Sequence, residues 1–524
     1  MNLTALTGAL VYDGTGTPPE KRDLLLRGSK IEAAVPAGSL NLTGIPRKDF
    51  TGLALAPGFL DAHGHSDLSI LAAPEAFGKI SQGITTEIIG NCGLSVFPIL
   101  TGEVREHLQS IYAAYQVPIT WKDLNSYAAE LERRKPAIHL ASLCGHNTLR
   151  ANICGYRNRN LTDSGLAEMR RILENELKQG AAGLSTGLLY TPGKFAEKQE
   201  LLSLAEILKR HHALYATHLR SEGDQLTEAI QEALELAECG SGRLQISHLK
   251  TALPRNWHKL DSVFALLETA KKRGLEITAD RYPYIRSQTS LSVILPPPYD
   301  AMDDVSIRDT LRENPRAALA LQEQLARSGR RWDDILLTST NHSGYADFFG
   351  KSLQEIAEAL RKSPPELCVE LMRHDAPGTM AAFAGMSADN LARILEKEWV
   401  CAGTDESARP QDDSIGRSHP RGFGTMPEFL RMVAAKTSMQ EAVRRITSLP
   451  ASIFRLRGKG VIRSGYDADL VIFSEPDLNA GATFARPHEP AEGIHCVYVS
   501  GEPAYRPGGK ILRRNGSFLR ITPE

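Results

Sequence analysis

The chain has 524 residues, of which 42% are hydrophobic, so it can bury a large core and suggests one large domain with additions. Its 61 basic residues against 62 acidic ones leave a net charge near zero, which argues against a nucleic-acid partner or a polybasic membrane anchor. Seven scattered cysteines suit a reducing cytoplasm rather than a disulfide framework, and no secretory signal or membrane-spanning run is recognisable.

Short apolar runs separated by glycine, proline and aspartate turns occupy both ends of the chain. Residues 1–55 contain LTGALVYDG, DLLLRGSKIEAAV and LNLTGI, and residues 460–524 contain GVIRSGYDADLVIF and GIHCVYVSGEPAY. These patterns predict antiparallel strands. Each half alone would expose long unpaired strand edges, so we expect the two halves to form one small β-sandwich domain together.

Strand-like runs alternate with amphipathic helical stretches between residues 56 and 459. The strand candidates are ITTEIIG, AIHLASLC, AAGLSTGL, ALYATHL, LQISHL, LEITADRY and WVCAGTD. Regular alternation of this kind predicts a parallel sheet, and the number of repeats favours an α/β fold closed into a (β/α)8 TIM-like barrel. The alternation breaks at residues 286–351, which we interpret as an insertion that covers the barrel mouth as a lid or specificity element.

The stretch LALAPGFLDAHGHSD carries two histidines at the end of an apolar run. His63 and His65 are two positions apart, so in an extended strand both side chains point to the same side and can offer a metal two imidazoles. Cys92, in IIGNCGLS, follows another strand candidate beside small residues that leave room for a ligand. As a thiolate, this cysteine would bind zinc strongly and could bridge two metals.

Two further histidines end neighbouring strand candidates. His218 closes ALYATHL, and His248 closes LQISHL. In a parallel barrel the carboxyl ends of all strands meet at one rim, so Cys92, His218 and His248 would form a three-ligand site with an open fourth position. That pattern is typical of catalytic zinc. The first histidine pair and Asp405 would then border a second metal position.

Asp405 lies in WVCAGTDES, at the end of the expected last barrel strand. Aspartate is a common helix N-cap, and this role is compatible with a chemical one. Beside a metal that lowers the pKa of a water molecule, the carboxylate could take the water's proton as a general base and return it to the departing amine. These residue types at strand ends predict a metal-dependent amide hydrolase.

A series of motifs runs along nearly the whole chain. In order, the chain contains PGFLDAHGHSD, GNCGLS, GHNTLR, STGLLYTPGKFA, THLRSE, ISHLK, DRYPY, GTDES, SHPRGFGT and GVIRSGYDADLVIF. Together they resemble the D-aminoacylase family of the amidohydrolase superfamily. The resemblance implies a zinc enzyme that hydrolyses N-acyl-D-amino acids to a D-amino acid and a carboxylic acid, with one tight zinc site and room for a second, weaker one. It implies Asp405 as the catalytic residue and, as metal ligands, His63, His65, Cys92, His218 and His248.

The same resemblance implies that Lys250 and Tyr282 hold the substrate carboxylate, with Tyr190 close by. An ammonium and a phenol at strand ends are suited to an anionic α-carboxylate, whereas the alternative for Lys250 is a solvated loop charge. His419, in SHPRGFGT, either donates to a reacting oxygen or holds its own loop. The preference for the D enantiomer follows from the resemblance alone.

Two motifs depart from the family pattern. Ile285 and Arg286 follow DRYPY where relatives have small residues, and GTDES stands where Ser-Asp-Gly is usual. If Arg286 points inward, it favours an acidic side chain such as that of D-glutamate or D-aspartate, or another anionic acyl substrate. If it is a surface charge, a hydrophobic D-amino acid is as good a candidate.

Two alternatives to this function stay open. A hydantoinase-like or dihydroorotase-like enzyme would hydrolyse cyclic amides, but such enzymes typically bridge two metals with a carboxylated lysine, and AAGLSTGL contains none. The other alternative is a non-catalytic metal-binding barrel. For the preferred function we expect a small-molecule N-acyl amino acid as substrate, no nucleic-acid or membrane partner, and a monomer or small homo-oligomer.

Overall fold

Parallel strands separated by helices form the centre of the molecule. The computed structural model describes residues 3–508 and 510–522. Within this part of the chain, two sheets consist only of parallel strands, one with three strands and one with six. The first sheet contains Phe59–Asp61, Ile84–Ile89 and His139–Ser142. The second contains Cys144–Gly145, Gly183–Gly187, Leu214–His218, Arg243–Ile246, Glu276–Arg281 and Val400–Ala402.

Backbone hydrogen bonds connect the two parallel sheets at both junctions. At one junction the Ala182 N–H donates to the Ser142 carbonyl over 2.8 Å. At the other, the Ala62 N–H donates to the Ala402 carbonyl over 3.2 Å, and the Asp405 N–H donates to the His63 carbonyl over 2.7 Å. The chain segments that carry His63 and Asp405 are therefore hydrogen-bonded neighbours.

Amphipathic α-helices follow the strands and bury their apolar faces against them. In the helix Leu226–Cys239, for example, Leu226, Ile230, Ala233 and Ala237 recur at helical spacing and are buried. No helix in the described residues combines the length and apolar character needed to cross a bilayer. The other helices around the parallel strands are Ser69–Ala72, Phe77–Ile80, Gly102–Ile111, Leu124–Arg134, His146–Cys154, Asp163–Gln179, Lys198–His211, Leu260–Lys272, Ala388–Leu395, Arg421–Ala434, Met439–Arg445 and Ser448–Ile453.

Strands from both ends of the chain pair in a ten-stranded sheet within the described residues. Ala54–Pro57 joins the two halves, because it pairs antiparallel with Leu470–Phe473 and parallel with Leu10–Val11. The Tyr12 hydroxyl donates over 2.7 Å to the carboxylate of Glu475, which is 463 positions away in the sequence. The remaining strands of this sheet are Leu3–Thr7, Glu20–Arg27, Lys30–Pro36, Arg47–Asp49, Ile494–Val499, Glu502–Arg506 and Lys510–Ile511.

A separate hydrophobic cluster fills the segment between Glu276–Arg281 and Val400–Ala402. Its antiparallel sheet has the strand order Ser287–Ser290, Met380–Phe383, Ile335–Ser339, and its helices are Asp304–Glu313, Pro315–Ala326, Leu353–Leu360 and Pro364–Asp375. The sequence interpretation ends the insertion near residue 351. The two helices that follow this position bury their apolar faces in the same cluster, and the strand Met380–Phe383 completes its sheet.

Candidate metal centre

Three of the predicted site residues have left-handed backbone conformations. The φ angle is 54° at Cys92, 36° at His248 and 51° at Asp405. Residues other than glycine rarely adopt this region, and each such residue costs about 1–3 kcal/mol. The surrounding fold therefore stabilises an unfavourable backbone at the positions where three strands end. The side chains of all three residues are candidate metal ligands.

The six predicted metal and catalytic residues form two donor groups. Within each group the candidate ligand atoms all lie within 4.8 Å of one another. We refer to the first as donor group A and to the second as donor group B; Cys92 belongs to both. Donor group A consists of His63, His65, Cys92 and Asp405, and donor group B of Cys92, His218 and His248. Thiolate, imidazole and carboxylate are the ligands that zinc takes in proteins, so both groups fit this metal.

Cys92 is the buried centre of both donor groups. Its Sγ lies 3.3 Å from His63 Nε2 and 3.6 Å from His248 Nε2. Burial alone would raise the pKa of the Cys92 thiol, but the charge of His63 and contacts with the neighbouring histidines hold it well below its usual value. By contrast, burial raises the pKa of the thiol of Cys144. Cys92 is thus set apart from an ordinary buried cysteine as a thiolate ready to bind a metal.

His218 has two ring nitrogens that make no hydrogen bond within the described residues, although its relative exposure is only 3%. Buried imidazoles ordinarily have a partner, because desolvating an unpaired polar atom is costly. A cation bound between His218, Cys92 and His248 would supply that partner. This orphaned ring supports a metal in donor group B.

Asp405 links donor group A to a buried arginine. Its Oδ1 lies 3.1 Å from His65 Nε2 and 3.5 Å from His63 Nε2, while its Oδ2 lies 2.8 Å from Arg421 Nη1. Burial would raise the pKa of the Asp405 carboxyl, but the Arg421 guanidinium and the nearby histidines hold it well below its usual range. The carboxylate is therefore ionised.

Asp280 orients His63 from the side opposite the thiolate. Its Oδ1 lies 3.1 Å from His63 Nδ1, which leaves Nε2 of the same ring facing Cys92. A carboxylate on the outer nitrogen of a ligating histidine fixes its tautomer and ring orientation.

The glycine between the two histidines is also required by packing, since a Cβ at Gly64 would collide with the carboxylate of Glu87.

A buried lysine connects two chain segments that carry residues of donor group A. The Lys79 ammonium donates to Asp61 Oδ2 over 2.8 Å, to Thr404 Oγ1 over 2.7 Å and to the Glu406 carbonyl over 2.7 Å, and it lies 3.3 Å from Glu87 Oε1. The side chains of Lys79, Asp61 and Glu87 have no solvent exposure. Lys79 therefore ties the strand before His63 to the loop that carries Asp405.

We expect Lys79→Met to lower the free energy of unfolding by about 3–5 kcal/mol, because it leaves two buried carboxylates without their cation. Chemical denaturation of the purified variant measures this loss. Lys178→Met is the matched control, since that lysine is 63% exposed in its pair with Glu174 and should change stability by at most about 1 kcal/mol. Equal stability of the two variants would contradict a structural role for the buried ammonium.

Two of the residues expected at the substrate carboxylate lie beside donor group B. Lys250 Nζ is 2.7 Å from His248 Nδ1 and forms an ion pair with Glu222. The ring centroid of Tyr190 is 4.8 Å from that of His218. Lys250 is therefore part of a buried charge network next to donor group B rather than a solvated loop charge.

Tyr282 is the third of these residues, and its hydroxyl makes no hydrogen bond within the described residues. Arg281 and Arg421 place their guanidinium carbons 4.2 Å and 4.6 Å from the centre of its ring. Burial would raise the pKa of the Tyr282 phenol, but Lys250 and the two arginines lower it. The cationic surroundings of this free hydroxyl suit an anionic group.

Arg286 and His419 both contact backbone atoms. The Arg286 guanidinium donates over 2.9 Å to the carbonyl of Asp334, which lies in the segment between Glu276–Arg281 and Val400–Ala402. His419 Nδ1 accepts from the Arg421 N–H over 3.0 Å, and its Nε2 lies 3.2 Å from the Arg286 carbonyl. Burial and the charge of Arg421 hold the pKa of His419 well below its usual value. This geometry directs Arg286 to the Asp334 carbonyl and favours a neutral His419 that holds its loop.

Comparison with known proteins identifies the group to which the chain is related. A model of the amidohydrolase family matches residues 49–505. The chain belongs to this family. This amidohydrolase is 30% identical to a D-aminoacylase from Alcaligenes xylosoxydans xylosoxydans, over 98% of both chains. It is also 32% identical to an N-acyl-D-glutamate deacylase from the same organism, over 98% of this chain and 97% of the relative.

A solved structure shares the fold of this amidohydrolase. The N-acyl-D-glutamate deacylase from Bordetella bronchiseptica, complexed with zinc and a phosphonate inhibitor that mimics the tetrahedral intermediate, is 30% identical to it. The two match with a TM-score of 0.81 over 99% of this chain and 100% of that one. The family expected from the motifs is therefore confirmed, and the fold is that of the amidohydrolases.

Sequence patterns did not identify three residues that contact the donor groups of this amidohydrolase. They are Glu222, Asp280 and Arg421, which lie within the quoted motifs THLRSE, DRYPY and SHPRGFGT. Each motif offered a signal, because a charged residue stood next to or a few positions from a predicted site residue. The sequence could not show that these charges point into the site.

Proposed function

We propose that this amidohydrolase hydrolyses the amide bond of N-acyl-D-amino acids and releases a D-amino acid and a carboxylic acid. The observation that carries the proposal is the position of Cys92 in both donor groups, with Asp405 at one side and Lys250 at the other. The two relatives described above, named D-aminoacylase and N-acyl-D-glutamate deacylase, support this proposal. A non-catalytic metal-binding barrel would not need the ionised Asp405 or the cationic surroundings of Tyr282.

The donor groups fit a tight zinc at Cys92, His218 and His248 and a second, weaker site at His63, His65 and Asp405. Zinc, when bound, would polarise the amide carbonyl and lower the pKa of the attacking water. Asp405 is ionised and lies at the edge of donor group A, so it accepts a proton from the water and passes it to the leaving amine nitrogen. Arg421 holds the second oxygen of that carboxylate and thereby fixes its orientation.

The substrate α-carboxylate binds, in this proposal, next to donor group B. The free hydroxyl of Tyr282 donates to it, and the Lys250 ammonium neutralises its charge. Tyr190 packs beside His218 and borders the same space. Lys250 and Tyr282 would then lie on one side of the metal, and the proton acceptor Asp405 on the other. This arrangement would fix the direction in which the amide bond of the substrate enters the site.

We also propose the domain organisation that places this site. The parallel strands and their junction hydrogen bonds support a closed (β/α)8 barrel spanning residues 56–459, with the donor groups at the carboxyl ends of its strands. Residues 1–55 and 460–524 supply a small β domain. Residues 286–351 act as a lid or specificity element. The contact of 3.3 Å between the Thr289 and Tyr190 hydroxyls supports this role.

A substrate screen with the zinc-loaded protein tests this function. We expect kcat/KM for N-acyl-D-amino acids to exceed that for their L enantiomers by at least about 100-fold. Because Arg286 contacts the Asp334 carbonyl, we expect hydrophobic D side chains to be accepted at least as well as D-glutamate or D-aspartate. Hydrolysis of hydantoins or dihydroorotate without turnover of any N-acyl-D-amino acid would overturn the proposal in favour of a cyclic-amide enzyme.

A further inference from the structure

Glu222 contacts several site residues, although the proposed mechanism leaves it without a role. It lies four positions after His218, and its side chain is 14% exposed. Its Oε1 is 3.0 Å from His248 Nδ1 and also pairs with the Lys250 ammonium. Its Oε2 is 3.9 Å from His218 Nε2. One carboxylate thus faces both histidines of donor group B and the lysine proposed for the substrate.

The contacts of His248 restrict where its proton lies. Its Nε2 is 3.6 Å from Cys92 Sγ, so this nitrogen faces the metal position of donor group B. A neutral imidazole that ligates a metal through Nε2 carries its proton on Nδ1 and has to donate it. The Lys250 ammonium lies 2.7 Å from the same Nδ1 and can only donate. Two donors therefore face each other, and the Glu222 carboxylate is an acceptor within reach of both.

We propose that Glu222 is a positioning residue that holds His248 in its Nδ1–H tautomer for zinc and orients Lys250 for the substrate carboxylate. An acidic partner on the outer nitrogen of a metal-ligating histidine fixes the ring and raises its basicity as a ligand. An ammonium has three N–H donors, so Lys250 can donate to Glu222 and still bind a substrate. The part of the proposal that concerns Lys250 rests on the proposed function, whereas the part that concerns zinc does not.

The test compares Glu222→Gln with the wild-type protein in two measurements. The first is zinc affinity, measured by competition with a chelator of known affinity after metal removal. Glutamine keeps the size of the side chain but removes its charge, so we expect zinc to bind about 10–100-fold more weakly. The second, at saturating zinc, is the kinetics of N-acyl-D-amino acid hydrolysis. We expect KM to rise about tenfold or more and kcat to fall by less than about threefold, because Lys250 loses its orientation.

Two further variants separate this role from a general effect on folding. Glu232→Gln breaks the nearby ion pair of 2.9 Å with Arg220 and should leave zinc affinity and KM unchanged. Glu222→Asp retains the charge at a shorter reach, and we expect zinc affinity between those of the wild type and Glu222→Gln. If Glu222→Gln does not fold, a zinc affinity of Glu222→Asp reduced by about threefold or more supports the proposal.

If Glu222→Gln folds and its zinc affinity and KM are unchanged, the positioning role is overturned. If only Glu222→Asp folds, an unchanged zinc affinity of that variant overturns the role as well. A wild-type protein that binds zinc but hydrolyses no N-acyl-D-amino acid would contradict the proposed function instead. The zinc competition then still decides the role of Glu222 at His248, since it requires no substrate. The two failures are therefore distinguishable.

Discussion

Replacing Asp405 with asparagine is expected to lower kcat by about 10²–10⁴-fold, the range that a positioned general acid or base contributes. The amide is nearly the same size as the carboxylate, but it cannot take up the proton of the attacking water. KM should change little, because the groups proposed for the substrate carboxylate, Lys250 and Tyr282, are untouched. Steady-state kinetics of the zinc-loaded variant on an N-acyl-D-amino acid measure both quantities.

The control for this prediction is Asp413→Asn, which changes an aspartate that is 60% exposed in the loop that follows Asp405. It should retain wild-type kcat. Zinc at donor group B should persist in Asp405→Asn, because that group consists of Cys92, His218 and His248. Full activity of Asp405→Asn would defeat the enzymatic mechanism, whereas a parallel loss of the tight zinc would show that the carboxylate serves as a ligand for it.

Replacing Cys92 with alanine is expected to lower the zinc affinity of the tight site by more than about 100-fold. This loss exceeds the one expected when only a hydrogen-bond partner of a metal ligand is removed. Both donor groups contain this sulfur, so no set of three protein ligands in donor group B survives the change. Metal analysis after dialysis should then find almost no bound zinc. Activity should fall in proportion to occupancy.

Cys144→Ala is the matched control for Cys92→Ala, because Cys144 is also fully buried but its thiol has a raised pKa and belongs to neither donor group. This variant should keep its zinc and show only the modest loss of stability expected for a smaller buried side chain. If Cys92→Ala keeps its zinc, the ligand assignment is wrong. If both variants lose it, the metal is lost through general destabilisation.

The strand ends were the most predictable part of the site. His63, His218 and Asp405 each follow a short apolar run, and the position of such residues along a strand depends on local pattern alone. Their convergence followed from the topology of parallel sheets, which brings carboxyl ends to one rim. Local pattern and a general rule of chain topology were therefore sufficient for the candidate ligands.

The direction of long charged side chains was not predictable. Arg286 contacts the carbonyl of Asp334, and Glu222 contacts Lys250. Neither contact has a signature in local sequence. The helices that follow residue 351 illustrate the same limit for packing. Their amphipathic pattern shows that each buries one face, but it does not reveal which of two hydrophobic cores receives it.

The pairing of Ala54–Pro57 with Leu470–Phe473 has a consequence for the order of events during synthesis. The strand Ala54–Pro57 leads directly into Phe59–Asp61 and His63, yet one of its edges stays unpaired until the ribosome has made Leu470–Phe473. An unpaired edge is prone to join other chains, so the nascent protein passes through a long aggregation-sensitive interval. The six residues of donor groups A and B all precede that distant strand in the sequence, so they are synthesised before the sheet next to them is complete.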